Sequence, residues 1–168
     1  MRWESALGSI IEVAIAIAGF SGIVAAVGRR SEGHWTDADQ LRLRILLTAS
    51  GVALVFAFLP FVLVDLAGEQ LVWRAASALL AIHMGGISAY RVRQASVAGI
   101  IEAIGLRWWT LGLQAVVALL LLVNAFYWAS ASVYVLGVLW GLLIAFLAFV
   151  SLLLGGLRHA PEDGPPAV

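Results

Sequence analysis

Five long apolar segments, joined by short polar connections, run through this 168-residue chain. A helix needs about 20 apolar residues to cross roughly 30 Å of hydrocarbon, and each segment reaches that length. Backbone groups in lipid must be hydrogen-bonded within the spanning structure, and a barrel would instead show short alternating strands. We therefore predict five transmembrane helices, at Ala6–Val27, Ile45–Leu66, Leu71–Tyr90, Trp108–Trp128 and Val133–Leu157.

The composition supports an all-α membrane protein with one domain. Hydrophobic residues make up 62% of the chain and charged residues 12%, whereas soluble domains have roughly 45–50% and about 25%. The predicted domain covers residues 1–158, and the proline-containing residues 159–168 are expected to form a disordered cytoplasmic tail. The first segment is expected to remain in place, because its long apolar region and Glu12 do not fit a cleaved signal peptide.

Several kinds of chemistry are excluded by missing residue types. The chain has no Cys and no Lys, so thiol catalysis, disulfides, thiolate metal sites and lysine Schiff bases are ruled out. No HExxH or GxSxG motif is present, and the acidic and histidine residues of the first loop match no metal-site spacing. We expect no catalytic residue, metal or cofactor, although a Glu/His pair leaves an intramembrane enzyme open as a third reading.

Arginine is distributed unevenly among the connections, and this predicts an orientation. The first and third connections and the C-terminal end carry Arg29, Arg30, Arg42, Arg44, Arg91, Arg93, Arg107 and Arg158. The second connection is acidic and the fourth is uncharged. The positive-inside rule therefore places the N-terminus outside and the C-terminus in the cytoplasm. We expect the protein in the plasma (inner) membrane. An aromatic belt is expected at the outer interface, from Trp3, Trp73, Tyr127, Trp128 and Tyr134.

Two further helical features are predicted outside the spans. Thr36 followed by Asp37 and Asp39 is typical of a helix start, so the second helix is expected to begin in the cytoplasm. The segment Ala95–Leu106 is apolar at helical spacing but too short to span, and arginines flank it. It is predicted to be an interfacial helix on the inner leaflet, between spans three and four.

Glu12 is the sharpest candidate for a functional residue. It lies about 10 Å below the predicted outer surface, where a carboxylate is costly unless it is protonated, paired or hydrated. Its helix face also carries Gly8, Ala16 and Gly19, and small residues mark helix–helix contacts. We expect Glu12 to face protein or a cavity. It is either a proton or cation site, or the structural partner of Arg74.

Arg74 and His83 lie on opposite faces of the third helix. Arg74, near the outer end, either pairs with Glu12 or extends towards the headgroups. His83 lies deeper, and an imidazole titrates near neutral pH, so it is a candidate for proton relay or ligand binding. The alternative for His83 is a neutral ring hydrogen-bonded to a neighbouring helix.

Two amides complete the candidate transport or ligand-binding residues. Gln114 either lines a polar vestibule with Ser21, Thr48 and Ser50, or joins helices through hydrogen bonds. Asn124 is expected at the depth of Glu12 and Arg74, where it completes an outer polar cluster. Four glycines are predicted to allow close helix packing, within the bundle or between protomers: Gly19, Gly22, Gly137 and Gly141.

Two classes of function fit these residues. The first is a homo-oligomeric channel or transporter for protons, ions or a small solute, with Glu12 and His83 as titratable groups. The second is a non-transporting accessory subunit, or a receptor for an apolar ligand or lipid, because no filter-like motif is present. The expected partners are the lipid bilayer and either further copies of this chain or another membrane protein, but not nucleic acid. In size and span count the chain resembles the translocator (tryptophan-rich sensory) proteins, although their sequence patterns are not evident and no residue role follows.

Overall fold

The computed structural model describes residues 3–28, 37–98 and 108–158. All regular structure in these ranges is helical, which confirms the prediction of a five-helix bundle. The helices are α1 (Trp3–Gly28), α2 (Asp37–Ala67), α3 (Glu69–Ala98), α4 (Trp108–Val123), which continues as a π-helical turn (Asn124–Trp128), and α5 (Ala131–Arg158). Each contains an apolar stretch long enough to cross a membrane.

The helices extend beyond the predicted spans. The described part of α2 starts at Asp37, and Thr36, the predicted cap residue, lies outside the described residues, so the predicted helix start stays a prediction. The α3 helix continues to Ala98, so the first four residues of the predicted interfacial helix belong to α3. The rest of that helix, the first loop and the C-terminal tail lie outside the described residues, and their predicted structures stay predictions.

The bundle has a central helix pair and two flanks. The most extensive contact joins α2 to α5, and α1 packs against both of them from one side. On the other side α3 packs against α4, and α3 also contacts α2. The α1 helix is therefore an edge helix, with one face turned towards the bundle and the other turned away. We call the end of the bundle where α1 begins the Trp3 end.

The core is made of apolar side chains from all five helices. Leu7, Leu46, Leu80, Leu121 and Val138 are at most 2% exposed. The close approach of α5 to α4 and α3 depends on Gly137: a Cβ atom there would lie 2.8 Å from the Cδ2 atom of Leu121. This is the close packing that the predicted GxxxG pattern implies at its first glycine.

Candidate functional site

Glu12 lies on the face of α1 that is turned away from the bundle, and its side chain is exposed. The opposite face of α1 carries the buried residues Leu7, Ile10, Ala14 and Ile17. Four exposed small or polar residues lie at helical spacing on this face, beside the exposed apolar residues Ile15, Phe20 and Ile23. We call this set the α1 stripe: Ser9, Glu12, Ala16 and Gly19. The expectation that Glu12 faces protein is therefore wrong for a single copy of the chain.

Three of the four predicted packing glycines, two on α1 and one on α5, have open space beside them. Gly19 and Gly22 are exposed, and a Cβ atom at either would meet nothing within 4 Å. Gly141 on α5 is half-buried and also has open space at its Cβ position. Among the four predicted packing glycines, Gly137 alone is required by the packing of the described residues. The glycines of α1 have no such explanation inside the bundle.

Arg74 lies near the Trp3 end of α3 and is not joined to Glu12. Neither residue takes part in an ion pair within residues 3–28, 37–98 and 108–158, so the predicted pair is absent from this structure. The Nε atom of Arg74 is buried and has no hydrogen-bond partner. The side chain lines a shallow depression of about 390 Å³ together with residues 68–71. This position agrees with the alternative in which Arg74 extends towards the surface.

His83 contacts an aromatic ring of the neighbouring helix. Its ring centroid lies 5.7 Å from that of Phe56 on α2, with an angle of 46° between the ring planes. The side chain is half-buried, and it packs against this ring. The hydrogen bond to a neighbouring helix stays a prediction. In the bundle, His83 is thus an edge residue of the α2–α3 contact and not part of a group with Glu12.

Gln114 joins two helices through a hydrogen bond. Its Nε2 atom donates to the carbonyl oxygen of Met84 at 3.1 Å, and the side chain is buried. Ser21 and Ser50 donate to carbonyl oxygens of their own helices, and Thr48 is exposed. These four residues therefore do not line a common vestibule. Gln114 fits the alternative in which an amide stabilises helix packing.

Asn124 is buried at the junction of α4 and the π-helical turn. Its Nδ2 atom donates to the Oγ atom of Ser77 at 2.8 Å and to the carbonyl oxygen of Ser130 at 3.0 Å. Its Oδ1 atom accepts the backbone N–H of Ser130 at 2.8 Å. The side chain therefore ties α3, the turn and the start of α5 together, without contact to Glu12 or Arg74.

The chain reverses after the π-helical turn through a residue with positive φ. Ala129 has φ 52° and ψ 39°, and its N–H donates to the carbonyl oxygen of Asn124 at 2.8 Å. A π-helical segment is rare and is mostly a single turn, and here the Asn124 side chain makes hydrogen bonds to the backbone of Ser130, just after the turn. Sequence reasoning missed this turn. The available signal was an amide placed five residues before a short polar connection.

An aromatic cluster at the Trp3 end was also missed. The Trp3 ring lies 5.3 Å from Phe61 and 4.9 Å from Trp73, and Trp73 lies 5.8 Å from Tyr134, centroid to centroid. Tyr134 is completely buried, and its hydroxyl group donates a hydrogen bond of 2.5 Å to the carbonyl oxygen of Phe56. Trp73 and Tyr134 were expected in the aromatic belt, but they belong to the core.

Tyr127 and Trp128 are the belt residues that are exposed, at 77% and 56%. They lie in the π-helical turn, next to the connection between α4 and α5. Their position agrees with an interfacial location at this end of the bundle. The orientation of the bundle in the membrane remains a prediction from the arginine pattern.

Comparison with known proteins adds no relative. No family model matches the chain, and no curated protein or solved structure matches it. Among the described residues, no group of three or more His, Asp or Glu side chains is placed to hold a metal ion.

The predicted site residues do not form one site. Gln114 and Asn124 are used in hydrogen bonds between helices, His83 packs against Phe56, and Arg74 lines the depression at the Trp3 end. Glu12 remains as an unpaired carboxyl group within an apolar helix, on the outer side of the bundle. The α1 stripe around it is the candidate functional site. Such a group can exchange a proton or accept and donate hydrogen bonds to another helix.

Proposed function

We propose that this protein is a non-transporting membrane subunit that binds another transmembrane helix through the α1 stripe. The observation that carries this proposal is the position of Glu12: a carboxyl group in an apolar span, exposed on the side of α1 that faces away from the bundle. Ionisable residues within spans almost always face a bundle interior or a water-filled cavity. An outward carboxyl group therefore indicates that further protein covers this face.

Two energetic costs on this side of α1 favour a covered face. A charged side chain at the centre of a helix in the bilayer costs about 2.5–3.5 kcal/mol on insertion scales, and less nearer the surface. Each glycine inside a helix costs about 1 kcal/mol relative to alanine. For Gly19 and Gly22, no contact within the described residues offsets this cost. A neighbouring helix that donates hydrogen bonds to Glu12 offsets the first cost, and its close backbone approach at the glycines offsets the second.

The interior of the bundle supports a non-transporting role. Within the described residues, buried side-chain nitrogen and oxygen atoms have hydrogen-bond partners, except Nε of Arg74 and Nε1 of Trp140. Gln114 and Asn124, the amides expected to line a path, are occupied by helix–helix hydrogen bonds. The depression beside Arg74 lies at the end of the bundle and is lined by residues 68–71 of the α2–α3 connection and the first turn of α3. A path for solute through one copy has no support in this arrangement.

The proposal is tested by finding what lies next to the α1 stripe in native membranes. A benzophenone amino acid replaces Ala16, which is exposed on α1, and in a separate variant it replaces Ala115, which is exposed on α4. Each alanine lies 13 residues from the Trp3 end of its span, so the two positions are matched in residue type and depth. We expect illumination to produce a protein adduct from position 16 and mainly lipid adducts from position 115. Equal lipid labelling at both positions would contradict the proposal.

A second candidate function is proton or cation transport between copies of the chain. It is favoured by one observation: Ser9 and Glu12 place a hydroxyl and a carboxyl group one turn apart on the same outward face. Proteoliposomes with the wild type and with Glu12→Gln separate the two candidates. The accessory role predicts background proton and cation flux for both proteins. Flux that is present in the wild type and lost in Glu12→Gln would contradict the accessory role and support the transport role.

A further inference from the structure

A shallow depression at the Trp3 end of the bundle has side chains of opposite charge in its lining. Its volume is about 390 Å³, and it is lined by residues 68–71 and Arg74. Glu69 supplies a carboxylate, Arg74 a guanidinium group, and Gln70 an amide that can donate and accept hydrogen bonds. No residue of α1 lines the depression, so it is a separate surface from the α1 stripe.

The two charges have no ion-pair partner in the described part of the chain, neither each other nor a third residue. They are five residues apart on α3, a rise of about 7.5 Å, which is a gap that one group carrying both charges can bridge. The Nε atom of Arg74 is buried without a hydrogen-bond partner, so the desolvation of this cation is not offset within the described residues. An anion bound to the guanidinium group offsets that cost.

We propose that this depression binds the headgroup of a phospholipid that carries a phosphate and a primary ammonium group, as phosphatidylethanolamine does. The phosphate accepts hydrogen bonds from Arg74, because the planar guanidinium group matches the geometry of phosphate oxygens. The ammonium group donates to the carboxylate of Glu69. This site goes beyond the proposed function and does not depend on what covers the α1 stripe.

The surroundings of the depression favour a lipid over a soluble phosphate compound. It lies where the spans of α2 and α3 end, and the other described connection at this end follows the exposed Tyr127 and Trp128, which are typical of headgroup level. Leu66 and Leu71 flank the connection and are 78% and 57% exposed, so apolar surface for acyl chains lies directly beside the polar lining. Basic residues between span ends are a recurring feature of lipid headgroup sites.

The carboxylate of Glu69 discriminates between headgroups. An anionic headgroup without an ammonium group, as in phosphatidylglycerol, meets this carboxylate as a like charge. A choline headgroup has no N–H to donate, and quaternary ammonium groups are held by aromatic cages, whereas no aromatic residue lines the depression. A primary ammonium group donates up to three hydrogen bonds. The lining therefore fits phosphoethanolamine best.

The test is a competition among lipids for the purified full-length protein. Phosphatidylethanolamine, phosphatidylcholine and phosphatidylglycerol with identical acyl chains are added in equal amounts in detergent, and native mass spectrometry measures which lipids are retained. We expect the wild type to retain one phosphatidylethanolamine, enriched about 2-fold to 5-fold over each of the other two lipids. Equal retention of the three lipids would overturn the proposal.

Substitutions at the two charges should give different results. Arg74→Gln should abolish the enrichment, and Arg74→Lys, which keeps a cation, should retain most of it. Glu69→Gln should remove the preference for phosphatidylethanolamine over phosphatidylglycerol, because the carboxylate no longer attracts the ammonium group or repels the anion. Asp65→Asn and Arg44→Gln are the controls, since both residues are exposed on α2 and lie outside the lining.

The controls should keep the wild-type pattern of retained lipids, and circular dichroism checks that each variant is folded. If Arg74→Gln does not fold, the result for Glu69→Gln still decides, because Glu69 is exposed and its replacement keeps the size of the side chain. A Glu69→Gln protein with the same lipid preference as Asp65→Asn would overturn the proposal.

A last arm of the experiment distinguishes a lipid from a soluble ligand. Inorganic phosphate and phosphoethanolamine are added separately, at millimolar concentration, to the protein that holds phosphatidylethanolamine. The lipid should stay bound, because its acyl chains contribute to the affinity through buried apolar surface. Displacement of the lipid by either soluble compound would contradict the assignment of a phospholipid to this site.

Discussion

The Nδ2 group of Asn124 donates a 2.8 Å hydrogen bond to the hydroxyl of Ser77, and this bond joins the end of α4 to α3 in the buried part of the bundle. The same side chain makes two further bonds to the backbone of Ser130. One amide therefore supports the π-helical turn and the start of α5. Its role in the described structure is stabilisation, although its depth in the membrane first indicated a ligand site.

Replacement of Asn124 should be more destabilising than replacement of its partner. Hydrogen bonds between membrane helices contribute about 0.6 kcal/mol each, so Asn124→Ala, which removes three, should lower the free energy of unfolding by about 2 kcal/mol. Ser77→Ala removes one of them and should cost about 0.6 kcal/mol. Both are measured by denaturant titration in mixed micelles. Equal losses in the two variants would show that the bonds to Ser130 contribute nothing.

The two glycines of the GxxxG motif in α5 should respond differently to alanine. A Cβ atom at Gly137 would lie 2.8 Å from Leu121 and 3.1 Å from Leu80, so Gly137→Ala should destabilise the bundle by about 1–2 kcal/mol through overpacking. Gly141→Ala meets nothing within 4 Å and should stabilise the helix by up to about 1 kcal/mol. Thermal unfolding in detergent measures both. Stabilisation of similar size in both variants would mean that the α4–α5 contact is looser than described.

Replacement of Ala129 by glycine should stabilise the protein. Its φ of 52° is in the left-handed region, which costs an L residue roughly 1–2 kcal/mol, and glycine adopts it freely. After the greater loss of chain entropy for glycine, Ala129→Gly should raise the free energy of unfolding by about 0.5–1 kcal/mol. The control is Ala131→Gly at the first residue of α5, which should destabilise the protein. A loss of stability in Ala129→Gly would contradict the left-handed conformation.

Tyr134 should stabilise the contact between α5 and α2 through its hydroxyl group. The hydroxyl donates to the carbonyl oxygen of Phe56 while the ring packs against Trp73, so Tyr134→Phe keeps the ring and removes the bond. We expect a loss of about 1 kcal/mol in the free energy of unfolding. Tyr127→Phe is the control, because Tyr127 is 77% exposed and should show no change. The hydrogen bond would be unimportant if both variants unfold like the wild type.

The number and placement of the helices could be predicted because span length and hydrogen-bond satisfaction in lipid leave few alternatives. Which face of each helix turns towards the bundle could not be predicted from the sequence. Lipid and a protein core are both apolar, so Ile10, which is buried, and Ile15, which is exposed, occur in the same kind of sequence. A carboxyl group was expected to turn inward for its solvation, and the structure places Glu12 on the outside instead. An exposed carboxyl group in an apolar span is energetically costly, and this cost is the reason for proposing the α1 stripe as the functional site.

The local geometry at the Trp3 end was beyond sequence reasoning for a different reason. The π-helical turn depends on contacts of Asn124 with residues of two other segments, and nothing in the residues around it requires the wider turn. The same holds for Tyr134, whose burial follows from the packing of Trp3, Phe61 and Trp73 around it. Aromatic residues near a span end are typical of an interfacial belt, and tertiary packing decided otherwise here.

The central claim, that Glu12 holds another helix against the α1 stripe, is tested most directly by photocrosslinking from position 16 with and without the carboxyl group. The benzophenone residue that replaces Ala16 is compared in the otherwise wild-type chain and in Glu12→Leu, in native membranes. The account predicts a protein adduct in the first, and at least a severalfold shift towards lipid adducts in the second, because the hydrogen bonds of Glu12 are lost. Lipid adducts of equal yield in both chains would contradict it.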